Sequence, residues 1–136
     1  MPDGRLNPRY TCAGADISPP MTWSGVSPAN AREVVVLVRT LTRGSIQTDW
    51  AIAGIDPSVY HLNPGAIPAG AVAGTNSLGQ TSYSLCPPAG KPAIVVLAVL
   101  ALPYRLHLRP GFPLRSVEPL IGRPGIPWGS IVIPAG

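Results

Sequence analysis

The stretch Thr11-Cys12-Ala13-Gly14-Ala15-Asp16-Ile17-Ser18-Pro19-Pro20-Met21-Thr22-Trp23 reads as neither helix nor ordinary strand. Gly14 permits a backbone with positive φ. Asp16 and Ser18 are turn formers that bond nearby backbone N–H groups. Pro19 and Pro20 have no N–H to donate and fix φ, which excludes a helix there. Pro19 also pushes Ser18 toward an extended conformation. The segment is stiff and irregular, and it delivers Trp23 to a core. A second segment has the same character: Asn76-Ser77-Leu78-Gly79, followed by Tyr83-Ser84-Leu85-Cys86-Pro87-Pro88-Ala89-Gly90. Each segment holds one of the two cysteines and a Pro-Pro pair.

Between and beyond these loops the chain reads as strands. Glu33 to Arg39 is a β-branched run of the kind buried on both faces. Thr40 to Thr48 reads as a polar loop, and Asp49 to Ile55 as the next strand, ended by Asp56-Pro57-Ser58. Tyr60 to Gly74 is a long Pro/Gly/Ala-rich loop, either functional or loosely held. Ala93 to Leu102 is a long apolar strand. A buried helix competes there, but the valines and the flanking Pro92 and Pro103 favour the strand. Pro119 interrupts what would otherwise be a helix over 115–121. Trp128 to Ile133 is a short last strand. Trp23, Trp50 and Trp128 are expected in the core or a pocket wall.

The 136 residues suffice for one domain, 1–136, and are too few for two of ordinary size. The 18 Pro and 15 Gly alternate with Val/Ile/Leu runs, which points to a turn-rich β domain instead of disorder. The net charge of +4 comes from scattered Arg and Lys without a run, so nucleic acid is not the expected partner. No apolar run is long enough for a transmembrane helix. Met1 is followed by no signal-peptide pattern. A Met so near the Thr11 stretch fits either a native start or a start that replaces a removed leader. The cysteines lack metal-ligand spacing and read as two buried thiols or one disulfide. No serine sits in a nucleophile elbow, and His61 and His107 read as surface residues. No catalytic residue, metal or cofactor is expected. Asp16 reads as the organiser of its own loop.

The pattern Tyr10-Thr11-Cys12-x-Gly14-x-Asp16-x-Ser18-Pro19-Pro20-x-x-Trp23 resembles the phosphatidylethanolamine-binding protein family in its bacterial branch, the YbhB/YbcL-like proteins. Asn76-Ser77-Leu78-Gly79 and Cys86-Pro87-Pro88-x-Gly90 follow in the family's order. The resemblance runs from about Asp3 to Gly111. It implies a mainly β fold, a large antiparallel Greek-key sheet with a smaller sheet packed on it. It also places the two cysteine loops on one side of the domain, which implies a Cys12–Cys86 disulfide. A disulfide needs an oxidising compartment, so an exported or envelope setting is expected, with the cytoplasm as the alternative.

The family's hallmark is a small anion pocket. It uses an Asp-Pro-Asp segment after the first buried strand, a His before a Trp on the next strand, the Pro-Pro loop and a second His before the central strand. In this chain those positions fall on Arg39-Thr40-Leu41, on Asp49-Trp50 and near Ala93. Asp16, Trp50, Tyr83, Pro87 and Pro88 keep the loops, while the polar groups are replaced. Acid has become base at Arg39 and base has become acid at Asp49. The two are expected either to pair and fill the former pocket or to stand apart as exposed charges. The expected function is non-enzymatic binding or regulation with a degenerate anion pocket. Two alternatives stay open. One is a remodelled site for a phosphate, carboxylate or phospholipid headgroup, with Arg39 or Lys91 as the cation. The other is a protein partner docking on the 60–74 loop.

Overall fold

A computed structural model describes residues 5–27, 29–88 and 90–135. The strands are β1 (Met21–Thr22), β2 (Glu33–Thr42), β3 (Ser45–Ile55), β4 (His61–Leu62), β5 (Val72–Ala73), β6 (Ala93–Leu102) and β7 (Trp128–Ala135). They form a five-stranded sheet in the order β5-β3-β2-β6-β7 and a two-stranded sheet of β1 and β4. Every pairing is antiparallel. The mainly β fold with one large and one small sheet agrees with the sequence reading.

β2 is central because both its faces are apolar. Val34, Val36 and Val38 pack with Trp50, Ile52, Val95 and Leu97 on one face. Val35 and Leu37 pack with Ala51, Ala53, Ala98 and Leu100 on the other. β-Branched side chains suit such a doubly covered strand. β6 pairs with β2 on one side and β7 on the other, so the helical alternative for 93–102 falls.

The polar loop expected over Thr40 to Thr48 is not a loop. β2 and β3 run on as a hairpin, with Thr40 opposite Gln47, Leu41 opposite Ile46 and Thr42 opposite Ser45. Only Arg43-Gly44 turns, and Gly44 takes the positive φ of 79° that a tight turn asks of its glycine. Polarity misled here, because an exposed hairpin end alternates threonine with isolated apolar residues just as a loop does.

Other departures are smaller. The 60–74 segment is mostly irregular but carries β4 and β5 near its ends, and it exposes Tyr60 and Ile67. Residues 115–121 form 3-10 turns, Leu114–Ser116 and Glu118–Leu120, with Pro119 in the first turn of the second. Trp50 is buried in the core and Trp23 half-buried, while Trp128 is 47% exposed and lines a groove with Trp23, so it meets the pocket-wall expectation and not the core one. It lies on β7 at the edge of the sheet, where no further strand covers it among the described residues.

Candidate functional site

The site positions lie where β2 and β3 meet the two cysteine loops. A β-bulge sets them up. Val38 faces Trp50, but Arg39 faces Thr48, so Asp49 is an extra residue between them. The bulge turns Asp49 toward Thr40, whose hydroxyl donates to Asp49 Oδ2 at 2.6 Å. Gln47 Nε2 donates to Asp49 Oδ1 at 3.2 Å. Arg39 faces elsewhere. Its Nη2 lies 3.8 Å from Glu118 Oε2, the same oxygen that accepts from the Thr48 hydroxyl at 2.9 Å. The Arg39–Asp49 pair is therefore not formed. The register carried on from Val38 and Trp50 would set Arg39 opposite Asp49, and the bulge breaks it.

The first cysteine loop closes onto the second. Asp16 has φ 53°, and its two carboxylate oxygens accept from Leu85 N–H at 3.0 Å and the Ser84 hydroxyl at 2.8 Å. The positive φ expected of Gly14 falls on Asp16 instead. Gly14 is needed for another reason: a Cβ there would lie 2.6 Å from the Pro8 carbonyl oxygen. Cys12 N–H donates to Leu85 O, and Tyr83 Oη donates to Tyr10 O at 2.6 Å. The Cys12 and Cys86 sulfurs stand at disulfide distance, with Cα atoms 5.3 Å apart. Asp16 acts as a staple between loops, and Asp16→Ala should cost about 3 kcal/mol by stranding two donors. Denaturant unfolding measures it. Asp16→Asn, which keeps one acceptor, should lose less, and equal losses in the two variants would refute the staple.

Asn76 ties the second loop to Asp49. Its Oδ1 accepts from Leu78 and Gln80 N–H, while its Nδ2 donates to Ser82 O and Asp49 O. Ser84 N–H also donates to Asp49 O. Trp50 and Tyr83 meet edge to face with ring centres 5.8 Å apart. Asp16, Asp49, Trp50 and Tyr83 are thus brought together. Pro87 and Pro88 are half-buried, and Lys91 is exposed.

Asp49 is 1% exposed. Burial raises its pKa from 3.8 to about 7, against the lowering effect of the Thr40 and Gln47 bonds, and the negative charge of Asp16 adds to the rise. Burial, then Asp49 and Asp16, push the Tyr83 phenol upward as well. At neutral pH the centre of the site is a buried carboxyl shared between its acid and anionic forms. Among the described residues, no cluster of three or more His, Cys, Asp or Glu side chains could hold a metal.

Thr40, Gln47, Asn76 and Glu118 have side-chain roles that the sequence alone does not announce. Asn76 was visible within a motif. Thr40 and Gln47 needed the bulge register, and Glu118 bonds to a residue 70 positions away.

These features define a small β protein with a site at one end of its large sheet, built from two loops that the disulfide positions join. A family model described as phosphatidylethanolamine-binding protein matches residues 1–130, and the chain belongs to that family. A UPF0098 protein of Methanothermobacter thermautotrophicus is 36% identical over 115 residues, covering 79% of this chain and 75% of that protein. LppC of Mycobacterium tuberculosis, named as a candidate lipoprotein, is 37% identical over 106 residues, covering 76% of this chain and 52% of LppC. The chain thus spans about half the length of that mycobacterial relative. The crystal structure of YbcL from Escherichia coli superposes with a TM-score of 0.83 at 26% identity, covering 96% of this chain and 90% of that one. Among the described residues, no helix is long and apolar enough to cross a membrane.

Proposed function

We propose that this chain is a non-enzymatic binding or regulatory protein, acting as one domain, whose family anion pocket is closed. The observation that carries this is Asp49. It stands where the family resemblance puts a histidine, and its two carboxylate oxygens are held by Thr40 and Gln47. The neighbouring carboxylate of Asp16 is likewise used up on Ser84 and Leu85. Negative charge at the centre, from Asp16 and from the anionic fraction of Asp49, repels an incoming anion. The cation expected to offset it, Arg39, leans toward Glu118 instead. An exported or envelope setting is supported by the Cys12–Cys86 placement and by the similarity to LppC.

The test is a thermal-shift titration with inorganic phosphate, phosphoethanolamine and acetate. A ligand at 100 times its Kd stabilises the native state by about 2.7 kcal/mol. No saturable shift is expected with any of the three. A saturable shift overturns the closed pocket. If Arg39→Ala abolishes that shift, a remodelled site takes its place, a second reading favoured by Arg39 Nε, which is buried with no partner among the described residues.

A further inference from the structure

The end of the large sheet away from Asp49 holds a second cavity, of about 320 Å³. β2 begins there with Glu33, and β3 ends there with Gly54 and Ile55. A second bulge shapes it. Val34 faces Ile55 but Val36 faces Ile52, so β3 again carries one residue more than β2. Gly54 takes φ 77° in that stretch, and a Cβ on it would lie 3.3 Å from Gly70 O. Glycine thus lets the 60–74 loop close on the strand and wall the cavity with Ala69 and Gly70.

Glu33 lines this cavity and is 4% exposed. Its Oε1 accepts from Leu106 N–H at 3.0 Å. Its Oε2 is buried with no hydrogen-bond partner among the described residues. Native proteins rarely leave a buried carboxyl oxygen without a donor, so this one asks for an explanation. A metal does not supply it, because no cluster of metal-ligating side chains stands among the described residues. The other polar side chains of the lining are exposed and form a rim above Glu33. Arg32 and Arg105 are the cations of that rim, and neither is in an ion pair among the described residues. Asp56 is the rim's acid, but its Oδ1 is taken by the Ser58 N–H and hydroxyl. Pro57, Val72 and Leu108 are half-buried and give the cavity an apolar wall.

We infer that this cavity binds a free α-amino acid with a small apolar side chain. The ammonium of the ligand gives Glu33 Oε2 the donor it lacks. The terminal torsion of a glutamate is broad, so a small turn of the carboxyl presents that oxygen to the cavity. The carboxylate of the ligand meets Arg32 and Arg105, whose planar guanidinium groups suit it. Its side chain lies against Pro57, Val72 and Leu108. A lone cation would satisfy Glu33 and face two arginines at the rim. A lone anion would satisfy the arginines and face a buried carboxyl. A ligand that carries both charges matches both ends. The site is separate from the one at Asp49, and neither reading depends on the other.

Titration of the protein with L-leucine, followed by amide NMR, tests this. Isoamylamine and isocaproate serve beside it, since each keeps one of the two charges of leucine. L-Leucine should give saturable shifts centred on Glu33, Gly54 and Leu106, and each analogue should bind about tenfold more weakly or worse. Glu33→Gln still accepts from Leu106 N–H and should weaken leucine by about tenfold or more. The double variant Arg32→Ala/Arg105→Ala should do the same. It changes exposed side chains only, and it serves if Glu33→Gln does not fold. Circular dichroism and melting confirm the fold of each variant. The absence of saturable shifts with L-leucine overturns the inference. So does isoamylamine binding as tightly as leucine, which would make this a site for amines alone. Undiminished binding in the folded variants overturns it too.

Discussion

Asp49→Asn should raise the melting temperature strongly near pH 8 and only slightly near pH 4. In the native state Asp49 holds its proton up to about pH 7, whereas the unfolded residue gives it up near 3.8. Between those values the native state binds one proton more than the unfolded state. Stability therefore falls as pH rises through that window and levels off above it. At about 1.4 kcal/mol per pKa unit, the buried anion costs on the order of 4 kcal/mol by pH 8. Asparagine removes that cost, still accepts from Thr40, and is met by Gln47 with its amide turned over. The gain is on the order of 10 °C for a domain of this size. Near pH 4 the parent is itself neutral, and the gain shrinks to below about 1 kcal/mol. Paired melting curves of parent and variant at the two pH values check this. Equal gains at both would mean that Asp49 does not titrate as a buried acid.

Reduction of the Cys12–Cys86 pair should lower stability by about as much without changing the fold. The cysteines are 74 positions apart, and a closed loop of that length stabilises by about 4 kcal/mol in the chain-entropy model. That effect acts on the unfolded chain. In the native state the same two loops are also held by Cys12 N–H on Leu85 O, by Asp16 on Ser84 and Leu85, and by Tyr83 on Tyr10. The reduced protein, or the double variant Cys12→Ser/Cys86→Ser, should keep its near-UV circular dichroism while melting on the order of 10 °C lower. An unchanged melting temperature would show that the thiols are not bridged. A lost near-UV signal would show that the hydrogen bonds cannot hold the loops alone.

The strands of the large sheet were legible wherever apolar pattern is local. Glu33 to Val38 and Ala93 to Leu102 announce themselves by β-branched runs between turn residues. The loop motifs were legible as residue patterns, and through them the family. What stayed hidden depends on register. One extra residue at Asp49 separates it from Arg39 and joins it to Thr40, and no local pattern distinguishes a bulged strand from a regular one. The hairpin end at Thr40 to Thr48 was lost because polar alternation looks like a loop. The choice between core and pocket wall for Trp128 stayed open because burial of a strand depends on where it stands in the sheet, which sequence order does not disclose.

The stapling of the first loop bears on how the chain comes to be folded. Asp16 reaches its partners across 68 and 69 positions, and Tyr10 is met by Tyr83 across 73. While the polypeptide is being made, Ser18 to Trp23 can dock on residues 60–65, but Tyr10 and Asp16 must wait for Tyr83, Ser84 and Leu85. Contacts that close such long spans are reached slowly, because chain entropy is spent before any contact rewards it. The Cys12 end of this loop is therefore locked well after it is made, and until then Cys12 is exposed to whatever oxidant or thiol its surroundings hold.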